Sequence, residues 1–214
     1  MRLLLALCLI GIVSPLYAVD RSTYTFNSGM NCQGAWRLPD TGQTLCYNNT
    51  TSIACPSSGQ PFYGQDAQSQ PAAVQMNYTV LNPVGISSVT VDNRTGLMWV
   101  TNPLTDAGFK GTQTWESALT SCTVTLNGMA YAGYTDWRLP NVRELMSIVD
   151  YGKASPPRIS ATAFPATLFN DYWTSATNGA ATLNKWYVDF SVGVVNNGLK
   201  TASIYVRCVR GGLY

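Results

Sequence analysis

The chain has 214 residues, enough for one sizeable domain or one domain with a small extension. Charged residues make up only 11% and aromatics another 11%, so a good core can form while the surface relies on Asn, Thr, Ser and Gln. A net charge of +2 is no nucleic-acid footprint, and the absence of histidine excludes histidine triads, imidazole-bound zinc and imidazole pH switches.

Met1-Arg2 and the apolar run Leu3–Val13 resemble the charged start and hydrophobic stretch of a secretory leader, with a cut expected after Ala18. The run is too short to span a bilayer, and a buried core helix is the competing reading. Cys8 follows Leu7 rather than a small residue, which argues against a lipid anchor. No later stretch reads as transmembrane, so the mature protein is expected to be secreted, periplasmic or at the cell surface. Its loss of Arg2 lowers the net charge by one.

Cleavage leaves Cys32, Cys46, Cys55, Cys122 and Cys208, which in an oxidising compartment read as bridges plus one leftover. Cys46 and Cys55 can close a short loop worth about 2 to 3 kcal/mol in the chain-entropy picture. Cys32 is then free, or competes for one of them. Spacing and missing partners argue against a metal site. Residues 19–75 are rich in Ser, Thr, Asn, Gln and Gly and read as an irregular, disulfide-containing extension. It either straps onto the following domain or forms a flexible linker. Trp36-Arg37-Leu38-Pro39-Asp40 echoes Trp137-Arg138-Leu139-Pro140-Asn141, as a degenerate repeat or by coincidence.

The domain proper is expected over residues 76–214. Val89–Val91 reads as a strand, Asp92–Gly96 as a turn and Leu97–Val100 as the returning strand. Trp115, Ala118, Leu119 and Cys122 share one helical face, with Thr112 or Thr114 as cap. The face aims Cys122 inward. Next, Pro140 holds Leu139 extended, so no helix runs through that point. Asn141 can cap a second helix, with Glu144 reaching back as in a capping box. Val142, Leu145, Ile148 and Val149 give it an apolar face, and Trp137 and Leu139 should pack beneath. Residues 151–165 form a long loop. An antiparallel meander follows, with strands at 171–176, 186–192 and 203–210. Turns are expected at 177–179 and at Asn196-Asn197-Gly198. In the last strand Ile204, Val206 and Cys208 share one face, and Tyr205, Arg207 and Val209 the other.

The domain's carboxylates are Asp136, Glu144, Asp150, Asp171 and Asp189, and nothing in their spacing singles out a glycosidase pair. Serine hydrolysis lacks a histidine base and shows no lysine motif. Asp92-Asn93 and Asp189 offer oxygen ligands to calcium but form no acidic loop motif, and Asp92-Asn93 is explained by its turn. No cofactor is called for.

Asp136-Trp137-Arg138-Leu139-Pro140-Asn141 with Glu144-Leu145 resembles the signature of the Lcl C-terminal domain family, named after a bacterial collagen-like adhesin. Thr95-Gly96-Leu97-Met98-Trp99, Trp115 with Ala118 and Cys122, Tyr172-Trp173-Thr174-Ser175, Trp186–Phe190 and Val206–Gly211 match in order, over roughly residues 88 to 212. The resemblance implies an α+β, C-type-lectin-like fold, with two short helices packed on antiparallel sheet. In the founding adhesin it implies binding of sulfated polysaccharides. It also implies a bridge from Cys122 to Cys208, because lectin-like folds often join these two regions. Formylglycine-generating enzymes share the broad fold but rely on reactive cysteines, a context that Cys122 and Cys208 lack.

The expectation is therefore an exported, non-catalytic binding protein for a carbohydrate or another surface ligand. The alternative is a structural or assembly subunit holding an envelope protein. Sulfates and carboxylates suit Lys and Arg, which singles out Tyr151, Lys153, Arg158, Lys185 and Arg207, with Lys200 nearby. Self-association is open, though no Gly-X-Y region drives a trimer.

Overall fold

The computed structural model describes residues 40–69, 76–82, 87–109 and 111–211. The expected leader, Cys32 and Trp36–Pro39 lie outside the described residues. The chain is mixed α+β, with antiparallel sheets and few short helices. In order come β1 (Cys46–Tyr47), β2 (Ser52–Ile53), α1 (Asp66–Ser69), β3 (Tyr78–Leu81), β4 (Val89–Asp92), β5 (Met98–Val100) and α2 (Trp115–Thr120). Then follow α3 (Val142–Met146), β6 (Asp171–Thr177), β7 (Asn184–Asp189), β8 (Val194–Leu199) and β9 (Val209–Arg210). One sheet runs β3-β4-β5-β9, another β6-β7-β8, and β1 pairs with β2 alone. No helix among the described residues is long and apolar enough to cross a membrane.

The turn between β4 and β5 forms as expected. Asp92 accepts from Arg94 N at 2.8 Å and from Thr95 Oγ1 at 2.6 Å, so its carboxylate is taken up by the turn. Thr114 caps α2, and the helix widens into a π segment over Ser121–Leu126. Ala118, Cys122 and Leu126 are buried along it. The Trp137 segment is the hub. The Trp137 indole donates to Tyr131 O at 2.9 Å, while Arg138 pairs through its main chain with Val209. Asn141 Oδ1 accepts from Glu144 N at 2.9 Å, and Glu144 Oε2 accepts from Asn141 N at 2.8 Å, closing the capping box. The same carboxylate takes both terminal nitrogens of Arg138 at 2.7 Å. α3 is shorter than expected: Ile148 and Val149 are buried just past its end, and Val142 is half-buried.

Two cores form. Trp137, Leu139, Trp173, Ala118, Leu126 and the Cys122–Cys208 bridge build the first. Trp99, Leu145, Ile148, Phe164, Tyr172 and Phe190 build the second. The C-terminal segment runs between them. Ile204, Val206 and Cys208 pack into the first core, and Tyr205 and Val209 into the second. The expected alternation therefore holds, but the long final strand does not. Only Val209–Arg210 is strand, and it joins β5 in the other sheet.

The second hairpin is also corrected. Asn196, Asn197 and Gly198 are paired strand residues opposite Tyr187, Trp186 and Lys185. The turn lies earlier, between Asp189 and Val194, where Gly193 takes a φ of +78° and donates to Asp189 O at 2.8 Å. Gly198 serves close approach instead: a Cβ there would sit 3.3 Å from the Tyr187 ring.

Candidate functional site

The five residues expected to meet ligand fall in three places. Tyr151, Lys153 and Arg158 share the long loop and surround Asp150. Tyr151 donates its main-chain N–H to Thr41 O at 2.7 Å and its hydroxyl to Gly193 O at 2.8 Å. Lys153 Nζ donates to Ile159 O at 2.9 Å. Arg158 is held through its backbone by Asp150 and Phe190, and its Nε is buried without a hydrogen-bond partner. Burial pushes the Asp150 carboxyl up, against the opposing pull of its hydrogen bond from Gly152 N–H and of Lys153 and Arg158.

Arg207 is not at the surface. It is fully buried, with Nη1 donating to Val100 O at 2.6 Å and Thr101 O at 2.7 Å, and Nη2 to Thr167 Oγ1 at 2.7 Å. Its guanidinium lies 5.0 Å from the Phe164 ring centroid. Burial lowers its pKa to about 10, so it stays charged at neutral pH. Strand alternation correctly placed it opposite Cys208, but that side is covered by a second core and not by solvent.

Lys185 occupies a different setting. It lies on β7 and is only 3% exposed. Its Nζ donates to Thr177 Oγ1 and sits 3.9 Å from the Trp115 ring centroid. Lys200 Nζ lies 5.7 Å from the same ring. Trp115 is fixed from both ends: its indole donates to Thr174 O at 2.9 Å, and its main-chain N–H to Lys200 O at 3.0 Å. The ion pairs among the described residues are Arg138–Glu144 and Arg210–Asp136, and neither involves a lysine. A covered ammonium normally has a carboxylate partner. Here it has a hydroxyl, an indole face and a second ammonium. Burial lowers the Lys185 pKa, and Lys200 lowers it further. Lys200 and the Trp115 face can meet an anionic group, with the positive charge of the covered Lys185 behind them.

Sequence spacing also missed one pairing. Asp171 and Asp189 face each other across β6 and β7. Burial pushes the Asp171 carboxyl up, and Asp189 adds to it. Asp189 Oδ1 accepts from Ser191 N at 2.7 Å. This pairing depends on the register of the β6–β7 hairpin, whose connection runs from Thr177 to Asn184. Among the described residues, no group of three or more His, Cys, Asp or Glu side chains is placed to hold a metal ion.

Both expected bridges are present. Cys46–Cys55 closes the N-terminal loop, and Cys122–Cys208 joins the π segment to the end of the chain. No curated protein matches the chain. The Lcl C-terminal domain matches residues 88–210, the stretch that holds the Trp137 hub, both lysines on Trp115 and the buried bridge, and on that match the chain belongs to the Lcl C-terminal domain family.

Proposed function

We propose that this is an exported, non-catalytic binding protein that recognises a carbohydrate bearing sulfate or carboxylate groups, through a C-type-lectin-like domain. One observation carries the reading: Lys185 and Lys200 share the Trp115 ring, and neither enters an ion pair among the described residues. Two disulfides in one chain support export to an oxidising compartment.

Retention on immobilised heparin is the direct test. The wild-type protein should elute only with added salt, because the attraction is charge-based. Lys185→Gln with Lys200→Gln should elute close to the void. Failure of the wild type to bind any anionic glycan would remove the reading.

A second reading, an assembly subunit seated on an envelope protein, is favoured by Leu183, Val192, Val194 and Leu199. These apolar side chains stand exposed on and beside the β7–β8 hairpin. Co-purification with a fixed partner, lost on Val194→Asp, together with no glycan affinity, would favour it.

A further inference from the structure

The disulfide-closed segment ahead of the family domain has a chemistry of its own. From Thr41 to Gln65 it carries no charged side chain. Leu45, Tyr47, Phe62 and Tyr63 are nonetheless exposed on it, three of them aromatic. Its internal polar groups are used for bracing. Gln65 Oε1 accepts from Tyr47 N at 2.8 Å, and Gln65 Nε2 donates to Tyr47 O at 2.8 Å and Phe62 O at 2.9 Å. One amide thus ties the Tyr47 and Phe62 backbones together. Gln68 Oε1 accepts from Gly64 N at 2.6 Å, and Cys46–Cys55 closes the loop.

Phe62 itself has a φ of +66°. A bulky side chain in that conformation costs about 1 to 3 kcal/mol, and glycine would avoid it. The loop therefore holds an exposed phenyl ring in a strained backbone rather than hiding it. A braced aromatic surface loses little conformational entropy on binding.

We infer that this surface is a second binding site, for uncharged polysaccharide chains. A pyranose ring has an apolar C–H face that suits an aromatic ring. It also has a hydroxyl rim that suits amides and hydroxyls such as the exposed Asn49 and Ser58. The lack of charge removes any pull on sulfate or carboxylate. It also removes the arginine anchors and steering charges that mark protein interfaces. Its residues are not those of the lysine pair on Trp115, and its ligand class is different.

Native affinity electrophoresis of the full mature protein tests the inference, with laminarin, hydroxyethylcellulose and galactomannan as neutral probes. At least one should retard the protein, and high salt should leave that retardation unchanged. Phe62→Ala or Tyr63→Ala should each weaken binding about tenfold, the scale of one lost aromatic contact. Phe62→Tyr should retain it, which separates loss of the ring from loss of the fold. Lys185→Gln with Lys200→Gln should leave neutral binding intact while abolishing heparin retention, so the two sites fail independently. The inference is overturned if no neutral probe retards the protein, if the alanine variants bind like wild type, or if they alter only its self-association in sedimentation.

Discussion

Arg207 and Lys185 show how two buried cations take different roles. Arg207 spreads its guanidinium over two main-chain carbonyls and a threonine hydroxyl inside the fold. Removing it orphans those acceptors, so Arg207→Ala should cost about 3 kcal/mol, read as a lower urea midpoint. Arg207→Lys should rescue little, because a single ammonium cannot reproduce the fork. Asp171 offers a pH test. Its folded pKa is raised, by burial first and Asp189 second. The folded state therefore holds the proton more tightly, and stability is greatest in acid. It falls as pH rises from the ordinary carboxylate value through the raised one. Asp171→Asn should increase the urea midpoint at neutral pH and lose that advantage in acid. A midpoint equally shifted at both pH values would contradict this.

At the scale of elements, the short α3 is held by its caps rather than by its length, since so few residues cannot sustain a helix alone. Asn141→Ala should cost about 1 kcal/mol, the usual value for a lost N-cap. Glu144→Ala should cost more, about 2 kcal/mol, because one carboxylate serves both the cap and the Arg138 fork. Thermal melts of the two variants would rank them. The capping box was legible in the sequence because its partners sit three residues apart. The β7–β8 turn was not. An Asn-Asn-Gly stretch reads as a hairpin turn, yet Gly198 is needed as a strand residue beside Tyr187, and Gly193 supplies the left-handed backbone.

Across the whole molecule, the two bridges differ in access. Cys122 and Cys208 are both fully buried, whereas Cys55 is exposed and only Cys46 is covered. A thiol reductant should therefore open Cys46–Cys55 in the native protein and reach Cys122–Cys208 only on unfolding. Timed alkylation with mass spectrometry would show the order, and simultaneous labelling of all four bridged cysteines would contradict it. Losing the long-range bridge should cost about 4 to 5 kcal/mol at most, and the short one about 2 to 3 kcal/mol.

The amino-acid sequence by itself determined what depends on neighbours along the chain: the turn at Asp92, the Asn141 cap, and the alternation through Arg207, while between Thr112 and Thr114 the structure chose the α2 cap. It also carried enough ordered motif around Trp137 to identify the family and, through it, the Cys122–Cys208 pair. Only the tertiary structure decided which face of each strand meets water. A period of two sorts side chains onto two sides but does not say what covers either side. Arg207 was thereby drawn into a core and Lys185 set against Trp115, because both placements depend on segments that approach from far along the chain, while Asp171 came opposite Asp189 through the β6–β7 register.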